Sequence, residues 1–133
     1  MDPDRDRLEA AYRATTYRVA TAGGPLEIRV GESEPALDAT SWAFVSAANP
    51  GSRPASRADN ERAHAALLAR VHDGGWQSRE GAGLPAAAGW APERSQFIAG
   101  IGRTDALRLG REFRQNAILV GVAGGPAAFA WLE

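Results

Sequence analysis

Trp42-Ala-Phe-Val-Ser-Ala-Ala-Asn-Pro-Gly-Ser-Arg53 joins a run of seven apolar or small residues to an abrupt polar turn. The run lacks the polar alternation of a half-buried strand, so Trp42–Ala48 is read as a central strand covered on both faces. Asn49-Pro50-Gly51-Ser52 ends it, because proline withdraws an amide donor and Asn, Pro and Gly all favour turns. Ser56 then offers an N-cap for a helix over about 57–72, with Ala63, Ala66, Leu67, Arg70 and Val71 as its inward stripe.

Working outward, Gly74-Gly75 stops that helix, and Trp76–Glu80 reads as a short strand. The Gly-, Ala- and Pro-rich stretch 81–92 reads as a loop carrying Trp90. Ser95–Ile101 is strand-like, Thr104 is a candidate N-cap for a helix to about 114, and Asn116–Val122 is a second apolar strand. The order strand, helix, strand, strand, helix, strand predicts an α+β, ferredoxin-like (split βαβ) two-layer sandwich. Its sheet is expected to be mostly antiparallel, with right-handed crossovers and helices mainly on one face. A helix over about 5–14 opens the chain. Strands at Thr15–Ala20 and at Leu26, Ile28 and Val30 flank the turn Ala22–Pro25, forming an N-terminal hairpin. A last strand, Ala127–Leu132, makes a C-terminal hairpin. The expectation is one domain, 1–133, with its core in 42–122.

The chain has no cysteine, which excludes disulfides, thiolate metal sites and Cys nucleophiles. All fifteen basic residues are arginine and the net charge is −1. That balance makes strong non-specific nucleic-acid binding an unfavourable reading, since it needs a basic surplus. No apolar run approaches the roughly 20 residues that cross a bilayer, and no apolar segment follows the charged opening residues. A cytoplasmic chain without a membrane partner is therefore expected, as monomer or homodimer.

The strand–turn–helix junction at Asn49–Arg53 carries the clearest functional signal. Backbone amides at such a junction can hold an anion, with Arg53 and Arg57 adding charge-assisted bonds. It also reads as a plain tight turn in which Asn49 and Ser52 cap amides. It lacks the Gly-Lys-Ser/Thr of a Walker loop. Asn60 and Arg62 follow in the first turns of the helix; Asn is a poor helix-interior residue, so either Asn60 has a partner or that face is solvated. Glu93 and Ser95 open a strand, and Glu93 is either an acid or base near the Asn49 turn or the ion-pair partner of an arginine such as Arg94. Gln115 and Asn116 join a helix to a buried strand, where Asn116 suits a left-handed C-cap or a ligand contact. His64 and His72 lie eight apart, about 12 Å along a helix, too far to share a metal. They read as surface histidines, and neither a metal site nor a cofactor is expected.

Ser46-Ala-Ala-Asn-Pro-Gly-Ser-Arg53, Asn60-Glu-Arg62, Gly89-Trp-Ala-Pro-Glu-Arg-Ser-Gln-Phe-Ile-Ala-Gly-Ile101 and Phe113-Arg-Gln-Asn-Ala-Ile118 occur in that order after Leu8-Glu-Ala-Ala-Tyr12. Together they resemble the bacterial family called domain of unknown function 3293, over nearly the whole chain. The resemblance brings no activity. It implies that the family's recurring polar positions correspond to Asn49, Pro50, Ser52, Asn60, Glu93, Ser95, Gln115 and Asn116. It departs at Arg114, where the pattern leads to glycine, and in a shortened stretch before Ser41.

The leading functional expectation is a non-enzymatic binding domain for a small anionic ligand or nucleotide, using Asn49, Ser52, Arg53, Asn60, Arg62, Glu93, Ser95, Gln115 and Asn116. A second is a module docking a protein or nucleoprotein through 81–92 or a sheet edge. A third is a hydrolase or transferase with Glu93 as base.

Overall fold

The computed structural model describes residues 3–37, 39–86 and 91–132. Helix α1 spans Pro3–Ala14, followed by strands β1 (Thr16–Val19), β2 (Leu26–Ile28) and β3 (Ser41–Val45). A single 3-10 turn, Pro50–Ser52, leads to helix α2 (Arg57–Asp73), whose N-cap Ser56 accepts from the Asp59 amide. Strands β4 (Gln77–Leu84) and β5 (Glu93–Ala99), helix α3 (Arg103–Glu112), and strands β6 (Ala117–Val122) and β7 (Ala128–Trp131) complete the chain.

The seven strands among the described residues form one antiparallel sheet in the order β2-β1-β4-β5-β3-β6-β7. The sheet curls until its two ends touch: the Gly31 amide donates to the Ala127 carbonyl and the Ala127 amide to Glu32, each at 2.8 Å. A homodimer built by edge pairing therefore finds one corner of each edge already used.

Strand alternation sorts the side chains onto two faces. Ala43, Val45, Ile98, Ile118 and Val120 point outward and bury Leu67 and Val71 of α2 and Ala106 and Leu109 of α3. Val19, Ile28, Trp42, Phe44, Phe97 and Leu119 fill the concave inner face. The rings of Trp42, Phe44 and Phe97 pack with centroids 5.2–5.8 Å apart. Helix α1 closes one end of the concavity, with Tyr12 against Phe129 at 4.8 Å and Trp131 at 6.4 Å.

The inner packing depends on Gly121, which lies opposite Trp42 in the ladder. A Cβ there would sit 2.2 Å from the indole, and the surrounding aromatic rings leave the indole little room to move. Gly121→Ala is expected to destabilise the fold by about 1–3 kcal/mol, the cost of overpacking. A urea midpoint unchanged from the wild type would show that Trp42 can shift.

Several boundaries differ from the sequence reading. Strand β3 ends at Val45, three residues early. Gly81–Leu84 is the end of an eight-residue strand and not loop, while Gly89 and Trp90 lie outside the described residues. Helix α3 is capped by Gly102, which makes no side-chain bond, so Thr104 is inside the helix. Its far end is a Schellman turn: Gln115 donates to the Gly110 carbonyl and Arg114 to Arg111. The left-handed residue there is Arg114, at φ 56°, and not Asn116. This is where the family resemblance leads to glycine, the residue that meets least strain at a positive φ.

Candidate functional site

Among the described residues three non-glycine residues have positive φ, and all lie at the α1 end of the sheet: Asn49 (46°), Ser52 (62°) and Arg114 (56°). They are tied together, since the Gly51 amide donates to the Arg114 carbonyl at 2.8 Å. Asn tolerates the left-handed region because its side chain bonds locally. Asn49 does so extensively. Its Oδ1 accepts from the Ala55 amide (3.1 Å) and from Asn60 Nδ2 (3.0 Å). Its amide donates to Asn60 Oδ1 at 2.9 Å. Its Nδ2 donates to Glu93 Oε2 at 3.3 Å. Asn60 thus has a specific partner and does not sit on a solvated face.

Glu93 opens β5 on the inner side of the sheet, opposite Gly83. It lines two hollows. The first is a cavity of about 100 Å³ bounded by Tyr12, Thr15, Tyr17, Ser46, Ser95 and Gln115, among others. The second is a cleft of about 490 Å³ beside α2, bounded by Asn49, Arg57, Asn60, His64 and Arg94, among others. Burial raises the Glu93 pKa above its ordinary 4.5, while bonds from Ser46 and Asn49 pull it back. Burial also pushes up the phenols of Tyr12 and Tyr17, and the Glu93 charge adds to both shifts.

Glu93 does not pair with Arg94. Arg94 lies on the outer face, where its Nη2 meets Glu80 at 2.7 Å, so no described cation neutralises Glu93. Ser52 Oγ accepts from Asn116 Nδ2 at 2.7 Å and lies 3.5 Å from the Tyr12 hydroxyl. Gln115 Nε2 donates to the carbonyls of Ala48 (3.1 Å) and Phe113 (3.2 Å). Ser95 is buried in the small cavity, and its Oγ has no partner among the described residues.

Seven of the nine sequence candidates therefore gather at one end of the sheet: Asn49, Ser52, Asn60, Glu93, Ser95, Gln115 and Asn116. The two arginines do not join them. Arg53 is exposed and makes no side-chain bond to a described residue. Arg62 is exposed and pairs with Asp59. The turn is also poor at holding an anion, because its amides are spent internally. Those of Asn49, Gly51, Ser52, Arg53 and Ala55 all donate to groups within the cluster.

His64 corrects another expectation. His72 is exposed, but His64 is only 4% exposed and packs under α2. Its spacing with Leu67 and Val71 marks one helical face, a signal legible in the sequence. Neither ring nitrogen has a hydrogen-bond partner among the described residues, and Glu80 Oε2 lies 3.6 Å from Nε2. Burial, helped by Arg94, lowers its pKa against the opposing pull of Glu80. Tyr12 and Tyr17 were not singled out from sequence, because only the curl of the sheet brings them to Glu93.

Among the described residues no group of three His, Asp or Glu side chains is placed to hold a metal. No helix among them is long and apolar enough to cross a membrane. A family model described as protein of unknown function (DUF3293) matches residues 45–118, more than half of the chain and the span that holds most of this cluster. No curated protein and no solved structure matches.

Proposed function

The chain belongs to the DUF3293 family of proteins of unknown function, and on that premise we propose that it is a small-molecule binding domain with Glu93 as its recognition centre. The ligand class is a neutral or cationic molecule that presents N–H or O–H donors, such as an amine, amidine or nucleobase edge. One observation carries this reading: a partly buried carboxylate, held by Asn49 and unpaired with any described cation, opens onto a 490 Å³ cleft. Clefts of that size with a few convergent polar groups are the usual form of small-ligand sites. An anionic ligand is disfavoured, since the turn amides are satisfied within the cluster and the carboxylate held at its centre would repel a negative charge.

We read the segment from β3 to β6 as a ferredoxin-like split βαβ pair. Its support is the local strand order β4-β5-β3-β6 and the seating of α2 and α3 on one face. That arrangement presents the β3–α2 turn, the start of β5 and the α3–β6 junction at one sheet end, which is why distant polar residues converge.

The test is a thermal-shift panel containing adenine, agmatine, spermidine, glucose 6-phosphate and inorganic phosphate. A ligand at 100 times its Kd adds about 2.7 kcal/mol of stability, several degrees for a domain of this size. The expected hits are among adenine, agmatine and spermidine, and Glu93→Ala abolishes their shifts. A panel in which only the phosphorylated compounds shift the protein, or in which Glu93→Ala changes nothing, overturns the reading. A second reading, Glu93 as general base of a hydrolase or transferase, is favoured by the raised carboxyl pKa beside two phenols. It predicts turnover of a bound hit, which non-catalytic binding does not.

A further inference from the structure

The end of the concavity opposite α1 holds a second hollow, which the Glu93 cluster does not reach. It is a cavity of about 710 Å³ bounded by the β1–β2 turn, residues 36–37 and the facing ends of β4 and β5. Its apolar wall is Val19, Leu26, Leu37, Phe97 and Ala99. The charge in its lining is Arg79; no carboxylate is among the described lining residues.

The position of Arg79 is unusual for a charged residue in this sheet. In the β4–β5 register it lies opposite Phe97, so its side chain leaves the sheet on the concave, aromatic face. Charges on the convex face are paired across strands: Arg18 with Glu27 at 2.8 Å and Arg94 with Glu80 at 2.7 Å. Arg79 makes no ion pair or side-chain hydrogen bond with a described residue, and it is exposed at the cavity rim. Thr21, Gln77 and Ser78 add polar groups to the lining. An unpaired guanidinium at the rim of a cavity with one apolar wall complements a molecule with an acidic head and an apolar body. Guanidinium matches carboxylate in planar, two-pronged geometry, and leaves its stem to pack on the hydrocarbon.

We propose that this cavity binds an amphipathic carboxylic acid, with the carboxylate on Arg79 and an aliphatic or aryl body against Phe97, Val19 and Leu37. Octanoate is a suitable probe, and 1-octanol has the same tail without the charge. Isothermal titration with the full chain is expected to show one saturable octanoate site, filled more tightly than by 1-octanol. Arg79→Gln, a surface change that leaves the apolar wall intact, weakens octanoate by about tenfold, the weight of one charge-assisted bond. It leaves 1-octanol within about twofold. Ala99→Phe, which fills the cavity, removes both, and circular dichroism checks that each variant is folded. Absence of saturable octanoate binding overturns the proposal. So does an Arg79→Gln variant that binds octanoate as the wild type does, or that loses octanoate and 1-octanol equally.

Discussion

Asn49→Ala is expected to destabilise the protein by about 3 kcal/mol, at the upper end of what a partly exposed turn residue can cost. The substitution removes three side-chain bonds at once, to the Ala55 amide, Asn60 Nδ2 and Glu93 Oε2. Each contributes about 1 kcal/mol net when both partners are satisfied in the folded chain. Alanine must also adopt φ 46°, where an L-residue with no polar side chain meets strain of about 1–2 kcal/mol. Part of that sum is recovered because water can reach the exposed side of the turn. Two further variants separate the terms. Asn49→Gly keeps the left-handed backbone and loses the bonds, so it falls between alanine and wild type. Asn49→Asp keeps the acceptor that serves Ala55 and Asn60 but sets a second carboxylate beside Glu93. Its deficit should therefore shrink as acid protonates the pair. Urea midpoints at two pH values decide this, and a loss under about 1 kcal/mol for Asn49→Ala would mean that the turn holds without its side-chain bonds.

That turn was legible as a turn, and its special residue was legible as Asn49, because Asn before Pro-Gly after an apolar strand has few other uses. Its partners were not. Asn60 is eleven residues away and Glu93 forty-four, and neither carries a local signal naming Asn49. The same limit explains Arg79: in a one-dimensional reading it is one more arginine, and only the β4–β5 register puts it opposite Phe97. Period-2 alternation at Leu26, Glu27 and Ile28 marked its strand well, since one face is buried and the other wet.

Composition misled at Gly81 and Gly83. Glycines there suggest a loop, yet they lie in β4 on the crowded concave side. A Cβ on Gly81 would come within 3.0 Å of Ser95 Oγ, 3.2 Å of the Arg18 carbonyl and 3.3 Å of Phe44. Gly81 serves close packing on that face, a role that backbone propensity cannot reveal, whereas a Cβ on Gly83 would meet nothing nearer than 3.5 Å. Thr104 misled in the opposite way. A good capping residue was present, but the turn at Gly100, with φ 81°, starts the helix at Arg103 and leaves Gly102 in the cap position.

Glu93→Gln is expected to make the protein more stable at neutral pH while abolishing recognition of a donor-bearing ligand. The glutamine oxygen can still accept from Asn49 Nδ2, so the turn keeps its bond, and what disappears is a partly buried negative charge. The sign follows from linkage. Burial raises the folded pKa of Glu93 above its ordinary 4.5, so the folded chain holds that proton more tightly than the unfolded chain. Its stabilising contribution is complete below about 4.5 and is lost as pH rises through the folded value. His64 works from the other side. Its folded pKa is pushed below 6.5, so its contribution is present above about 6.5 and is lost as pH falls through the folded value. Melting temperatures of wild type and Glu93→Gln should therefore coincide near pH 4, separate as pH rises from there, and remain apart at pH 7 with the variant the higher. The acid-side fall due to His64 is common to both and cancels in the difference. A variant that gains stability by losing a charge, and loses binding with it, marks a group kept for function at a cost to the fold. A flat difference across the range would mean that Glu93 is as well solvated as any surface carboxylate, and the recognition centre would have to be sought elsewhere.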